Sequence, residues 1–216
     1  MAKQTIDARL LAAQVAIDNA RGDAGILAAM GVFGYDEERL GVGRALYDEA
    51  QTLVSRQKAE YGEQFEATAA VQTAWDEGNA AYMRTFKVAR VALKGNPKAR
   101  AAMMLSGDRK RTLSGWLEQT TAFYANLMAD AKLMAAMGIF GYDQARLEAE
   151  QVLMQAVVKA NLVQEKEKGE AQEATKLRDA RLDELDQWMS DFKAIAQVAL
   201  EENPQWLEKL GFSAVP

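Results

Sequence analysis

The fifteen residues ILAAMGVFGYDEERL, Ile26–Leu40, return as LMAAMGIFGYDQARL at Leu133–Leu147, with ten of the fifteen positions identical. Met30 and Met137 stand 107 residues apart, and three of the five differing positions exchange one apolar side chain for another (Ile26/Leu133, Leu27/Met134, Val32/Ile139). A match of this length at one fixed offset marks a duplicated unit. Fainter correspondences at the same offset extend it: Gly62 with Gly169, Ala67-Thr68 with Ala174-Thr175, Asp76-Glu77 with Asp183-Glu184, Val91-Ala92-Leu93 with Val198-Ala199-Leu200, and Asn96-Pro97 with Asn203-Pro204. The chain is therefore expected to hold two tandem copies, residues 1–107 and 108–216, packed as separate units or as one bundle.

Each copy is expected to be helical. The chain has only three prolines in 216 residues, and strong helix formers dominate it. Apolar β-branched runs bounded by turns, from which a sheet would be built, are missing. Apolar residues make up 49% and charged residues 26%, enough to bury a core. The fold class that follows is all-α: an antiparallel helical bundle of two pseudo-twofold-related copies, each with two or three long helices.

Within each copy the shared motif reads as a helix stop, a short loop and a helix start. Gly31 and Gly138 follow the Ala-Ala-Met run, where a left-handed residue would close a helix. Phe33 and Phe140 are placed to cover the end of the hairpin, and Gly34 and Gly141 to give the chain a second free turn. Asp36 and Asp143 stand as N-caps of the next helix, with Arg39 and Arg146 three residues on, positioned for an ion pair across the first turn. Tyr35 and Tyr142 suit a hydrophobic staple. Hairpin geometry accounts for all of these residues; the competing functional reading is a pair of Tyr-Asp-Arg clusters that bind a polar ligand.

On this plan the first helix of each copy runs from Thr5 to Met30 and from Arg109 to Met137. After the hairpin, seven-residue ladders mark a helical seam. They run Leu40, Tyr47, Val54, Tyr61, Thr68, Trp75, Tyr82, Ala89 in the first copy and Leu147, Met154, Asn161, Lys168, Thr175, Leu182, Met189 in the second. The shared Gly62 and Gly169 favour a break there into two helices joined by a hairpin. A short helix is expected after each Asn-Pro, ended by Gly107 and Gly211.

Function is bounded mainly by exclusion. The chain has no cysteine and no histidine, so disulfide frameworks, zinc fingers and Cys-His or Ser-His-Asp catalysis cannot be built from it. No phosphate loop, nucleophile elbow or dinucleotide fingerprint occurs, and no cofactor or metal is expected. The net charge of −5 argues against a nucleic-acid partner. No run reaches the roughly 18 apolar residues of a membrane span, and Met1–Asp18 lacks a signal peptide's apolar block, so a cytoplasmic protein is expected. The carboxylate ladders Glu60, Glu63, Glu66 and Glu167, Glu170, Glu173 read as solvated faces.

One charge cluster stands apart from this acidic average. Lys94, Lys98, Arg100, Arg109, Lys110 and Arg111, against Asp108 alone, form a basic segment that could dock on an acidic partner. The leading expectation is a non-enzymatic helical scaffold or interaction module that binds a protein partner or itself. The alternative is a binder of a small apolar ligand, with a pocket between the copies lined by Met83, Phe86, Trp116, Phe123 and Tyr124.

Overall fold

Helices begin where the sequence places capping side chains. The computed structural model describes residues 4–107 and 109–213, and among these it has eight α-helices and no strand. They are α1 (Ile6–Gly22), α2 (Ala24–Val32), α3 (Glu37–Ala92), α4 (Pro97–Ala102), α5 (Leu113–Met128), α6 (Ala131–Gly138), α7 (Gln144–Ala199) and α8 (Pro204–Lys209). The starts of α5 to α8 lie 107 residues after those of α1 to α4. The Thr5 and Thr112 hydroxyls accept bonds from Ala8 N and Gly115 N, each at 3.2 Å, and so open α1 and α5 in the same way.

Two expectations about helix boundaries are corrected. The segment Thr5–Met30 is two helices, because the Asp23 carboxylate accepts from Gly25 N (3.0 Å) and Ile26 N (3.2 Å) and starts α2 anew. Asp130 does the same for α6 through Lys132 N and Leu133 N. Conversely, α3 and α7 run unbroken through Gly62 and Gly169, each for 56 residues. One exposed glycine costs a helix only about 1 kcal/mol relative to alanine. Good helix formers flank both sites, and no capping residue follows to reward a break.

By contacts the chain divides into two compact units, residues 1–61 with 169–216 and residues 62–168. The first unit joins α1, α2, the start of α3, the end of α7, and α8. Its core packs Ala16, Ala20, Ile26, Met30, Tyr35 and Leu40 with Phe192, Ala196, Leu200, Leu207 and Leu210, and continues through Leu10, Ile17, Tyr47, Val54, Leu182 and Leu185. The second unit joins α5, α6, the start of α7, the end of α3, and α4. Its core packs Phe123, Tyr124, Leu127, Met137, Tyr142 and Leu147 with Tyr82, Phe86, Leu93, Met103 and Leu105. Each core thus draws on both halves of the sequence, and the boundary at residue 107 falls inside the second unit.

The heptad ladder is buried where it serves these cores, at Leu40, Tyr47, Val54, Tyr82 and Ala89, and lapses at the exposed Tyr61 and Thr68. None of the helices among the described residues is long and apolar enough to cross a membrane.

Candidate functional site

The hairpin residues come together twice, in one geometry. Tyr35 N donates to Met30 O (3.1 Å) and Gly34 N to Gly31 O (3.0 Å); Tyr142 N donates to Met137 O (3.2 Å) and Gly141 N to Gly138 O (3.0 Å). This is the Schellman pattern, in which the residue after the C-cap takes a left-handed conformation. Gly34 (φ 80°) and Gly141 (φ 76°) take it, whereas Gly31 and Gly138 lie inside α2 and α6. The turn therefore closes three residues later than the sequence suggests, on Gly34 and Gly141.

Asp36 and Asp143 cap α3 and α7 as expected, accepting from Arg39 N (3.0 Å) and Arg146 N (2.9 Å). The anticipated Asp–Arg ion pair is replaced by stacking. The Arg39 guanidinium lies 4.4 Å from the centre of the Tyr35 ring, and that of Arg146 lies 3.8 Å from Tyr142. Tyr35 and Tyr142 are the buried anchors, packed in the same cores as Leu40 and Leu147 respectively, and burial raises the Tyr35 phenol above its usual range. Phe33 and Phe140 do not cover the hairpin. They are 45% and 47% exposed, and beside them Val32 and Ile139 are each 81% exposed.

The basic segment does not form one docking helix. Lys98 and Arg100 lie on the six-residue α4, with Arg100 Nη2 donating to Ser106 Oγ at 3.3 Å, and Lys94 sits exposed in the turn before it. Asp108 lies outside the described residues. Arg109, Lys110 and Arg111 instead form the mouth of an open cleft of about 660 Å³ in the second unit. Its walls are Trp75, Asn79, Tyr82 and Trp116. Trp75 and Trp116 stack at 5.0 Å between centroids with 22° between planes, and Trp116 Nε1 donates to Asn79 Oδ1 at 3.0 Å. Of the side chains expected to line an apolar pocket, Trp116 lines this cleft. Phe86, Phe123 and Tyr124 are consumed by the core, and Met83 packs against it.

Beneath this region lies a buried polar cluster that the sequence reading missed. Glu150, 7% exposed, accepts from Thr85 Oγ1 (2.5 Å) and Tyr124 Oη (2.8 Å) on one carboxylate oxygen, while Arg146 Nε stands 3.6 Å from the other. Burial, then the adjacent Glu150 carboxylate, raises the Tyr124 phenol. Glu150 shares a helical stripe with Leu147, Met154 and Val157, a spacing of three and four that marks the buried face of α7. The positions 107 residues removed are apolar or bare: Ile17, Gly43 and Phe192. There Trp188, stacked 5.2 Å from Phe192, covers Gly43 so closely that a Cβ would fall 2.4 Å from its ring.

No protein-family model, curated protein or solved structure matches the chain.

Proposed function

We propose that the chain is a non-enzymatic helical scaffold whose two hairpins present the same exposed apolar pair to a partner, either another protein or a second copy of the chain. The observation that carries this reading is the exposure of Val32-Phe33 and Ile139-Phe140 at corresponding points of two turns whose other apolar side chains are buried. Hairpin closure needs the left-handed glycine, the capping aspartate and the buried tyrosine; it does not need two apolar side chains in water. Adjacent exposed apolar residues of this kind mark interaction sites more often than singly scattered ones do.

The reading includes an origin by tandem duplication into pseudo-twofold, antiparallel bundle elements. The matching helix starts and the matching hairpin bonds support it. The test compares wild type with the quadruple variant Val32→Ser/Phe33→Ser/Ile139→Ser/Phe140→Ser by sedimentation velocity and by crosslinked capture from an extract of the native cells. The variant is expected to keep the wild-type circular dichroism and lose the association or the captured partner. A wild type that is monomeric and captures nothing the variant does not would overturn the proposal.

A further inference from the structure

We propose that the cleft bounded by Trp75, Tyr82, Arg109, Arg111 and Trp116 binds an aromatic phosphate monoester, ring against the tryptophan wall and phosphate against the arginines. This goes beyond the scaffold reading and stands or falls separately from it.

The cleft's volume, about 660 Å³, is in the range of small-molecule sites. Its chemistry is unusual for a chain of net charge −5. Three consecutive cationic side chains face it. Of these, only Lys110 has a carboxylate partner among the described residues, Glu118 at 2.5 Å, and that pair is largely exposed. The Arg109 guanidinium donates to Met83 Sδ, and neither Arg109 nor Arg111 has a carboxylate partner among the described residues. Planar guanidiniums in pairs suit the oxygens of a phosphate, which accept forked hydrogen bonds.

The second observation is a donor without an acceptor. Tyr82 lines the cleft, is 1% exposed, and its hydroxyl has no hydrogen-bond partner. A buried unpartnered hydroxyl costs about 1–3 kcal/mol. Burial pushes its phenol up to about 12, and the charge of Arg109 acts on it in the opposite sense, so phenol and guanidinium bear on one region. A phosphate oxygen placed there takes both donors. Two of the amide donors nearby are already used, Lys110 N by Gln119 Oε1 (3.2 Å) and Gly115 N by Thr112 Oγ1 (3.2 Å).

The same place in the first unit is built differently. At the positions 107 residues from Trp75, Asn79, Tyr82, Arg111 and Trp116 stand Leu182, Asp186, Met189, Gln4 and Arg9. A dent lined by Gln4, Arg9, Asp183 and Asp186 occurs there, and the Arg9 guanidinium is closed by Asp186 at 2.5 Å. One unit neutralises its arginine internally. The other leaves two arginines without a carboxylate partner among the described residues, beside a stacked aromatic wall and an idle phenol.

The test uses the full chain with 1-naphthyl phosphate and adenosine 5′-monophosphate as probes, titrated by calorimetry and by tryptophan fluorescence. The controls are 1-naphthol, adenosine and inorganic phosphate. At least one of the two probes is expected to bind at one site per chain, at least about tenfold tighter than its neutral counterpart and than phosphate. Tyr82→Phe and Arg111→Gln should each weaken it by about 10-fold or more, while Arg9→Gln should leave it unchanged. Unaltered circular dichroism secures the comparison. The proposal is overturned if neither probe saturates, if the neutral counterpart binds equally well, or if the two cleft variants bind like wild type.

Discussion

The continuity of α3 and α7 through Gly62 and Gly169 makes a prediction whose sign, and not merely its size, is diagnostic. Both glycines are exposed, both lie in the interior of a 56-residue helix, and a Cβ at either would meet nothing within 4 Å. Alanine at such a site gains the full difference in helix propensity with no steric penalty, so Gly62→Ala and Gly169→Ala should each stabilise by about 0.8–1 kcal/mol. For a chain of this length that corresponds to about 2–4 °C in Tm. Gly34→Ala and Gly141→Ala form the opposing pair. At φ 80° and 76° they hold the left-handed turn, and a Cβ there costs about 1–2 kcal/mol. Urea denaturation followed by circular dichroism at the helical band reads both as midpoint shifts at unchanged slope. A hairpin at Gly62 or Gly169 would place those glycines in the left-handed class as well. A fall in midpoint for Gly62→Ala, comparable to that for Gly34→Ala, would therefore refute the unbroken helix.

Two further outcomes follow from buried polar groups in the second unit. Glu150→Ala leaves the Tyr124 hydroxyl without its acceptor and should cost about 3 kcal/mol. The triple change Thr85→Val/Tyr124→Phe/Glu150→Met should lie within about 1 kcal/mol of wild type, since the corresponding positions of the first unit are already apolar or bare; a triple variant as unstable as Glu150→Ala would contradict this. Tyr82 gives a pH dependence. Its phenol is raised to about 12 in the folded chain, against about 10 when unfolded, so the unfolded chain loses a proton that the native one keeps. Stability from this group is present below about pH 10 and is lost above it by about 1.4 kcal/mol per pH unit as the folded value is approached. Tyr82→Phe should therefore lose less stability than wild type between about pH 9.5 and 11 in denaturation curves; parallel losses would contradict the assignment.

Much of the local structure was legible because local chemistry fixes it. Asp36 and Asp143 are caps whatever the tertiary context, and the Asn96-Pro97 and Asn203-Pro204 pairs start short helices. The choice between Gly31 and Gly34 was not legible. Both follow an apolar run, and only the bond from Tyr35 N back to Met30 O decides which one turns left-handed. Met104 shows the limit of residue preference. It takes φ 51° at the end of α4, at the position where α8 ends on Gly211 with φ 77°, so α4 closes before Gly107.

The break at Asp23 was hidden because an aspartate on the polar side of a helix looks like any other surface charge. Glu150 could have been found, since it falls on the apolar stripe of α7. The cleft could not. Its walls come from α3 and α5 and its mouth from the segment leading into α5, and no periodicity pairs Trp75 with Trp116 or brings Arg109 to Tyr82.

That each hydrophobic core draws on both halves of the sequence is tested most directly by cutting the chain between them. Fragments 1–107 and 108–216 should each fail to give a cooperatively folded monomer, because Tyr35, Leu40 and Met30 lose Phe192 and Leu200, and Phe123 and Tyr142 lose Tyr82 and Leu93. Mixing the two fragments should restore the helical signal and a sharp thermal transition. A fragment 1–107 that is monomeric by sedimentation and melts cooperatively without its complement would contradict the shared cores.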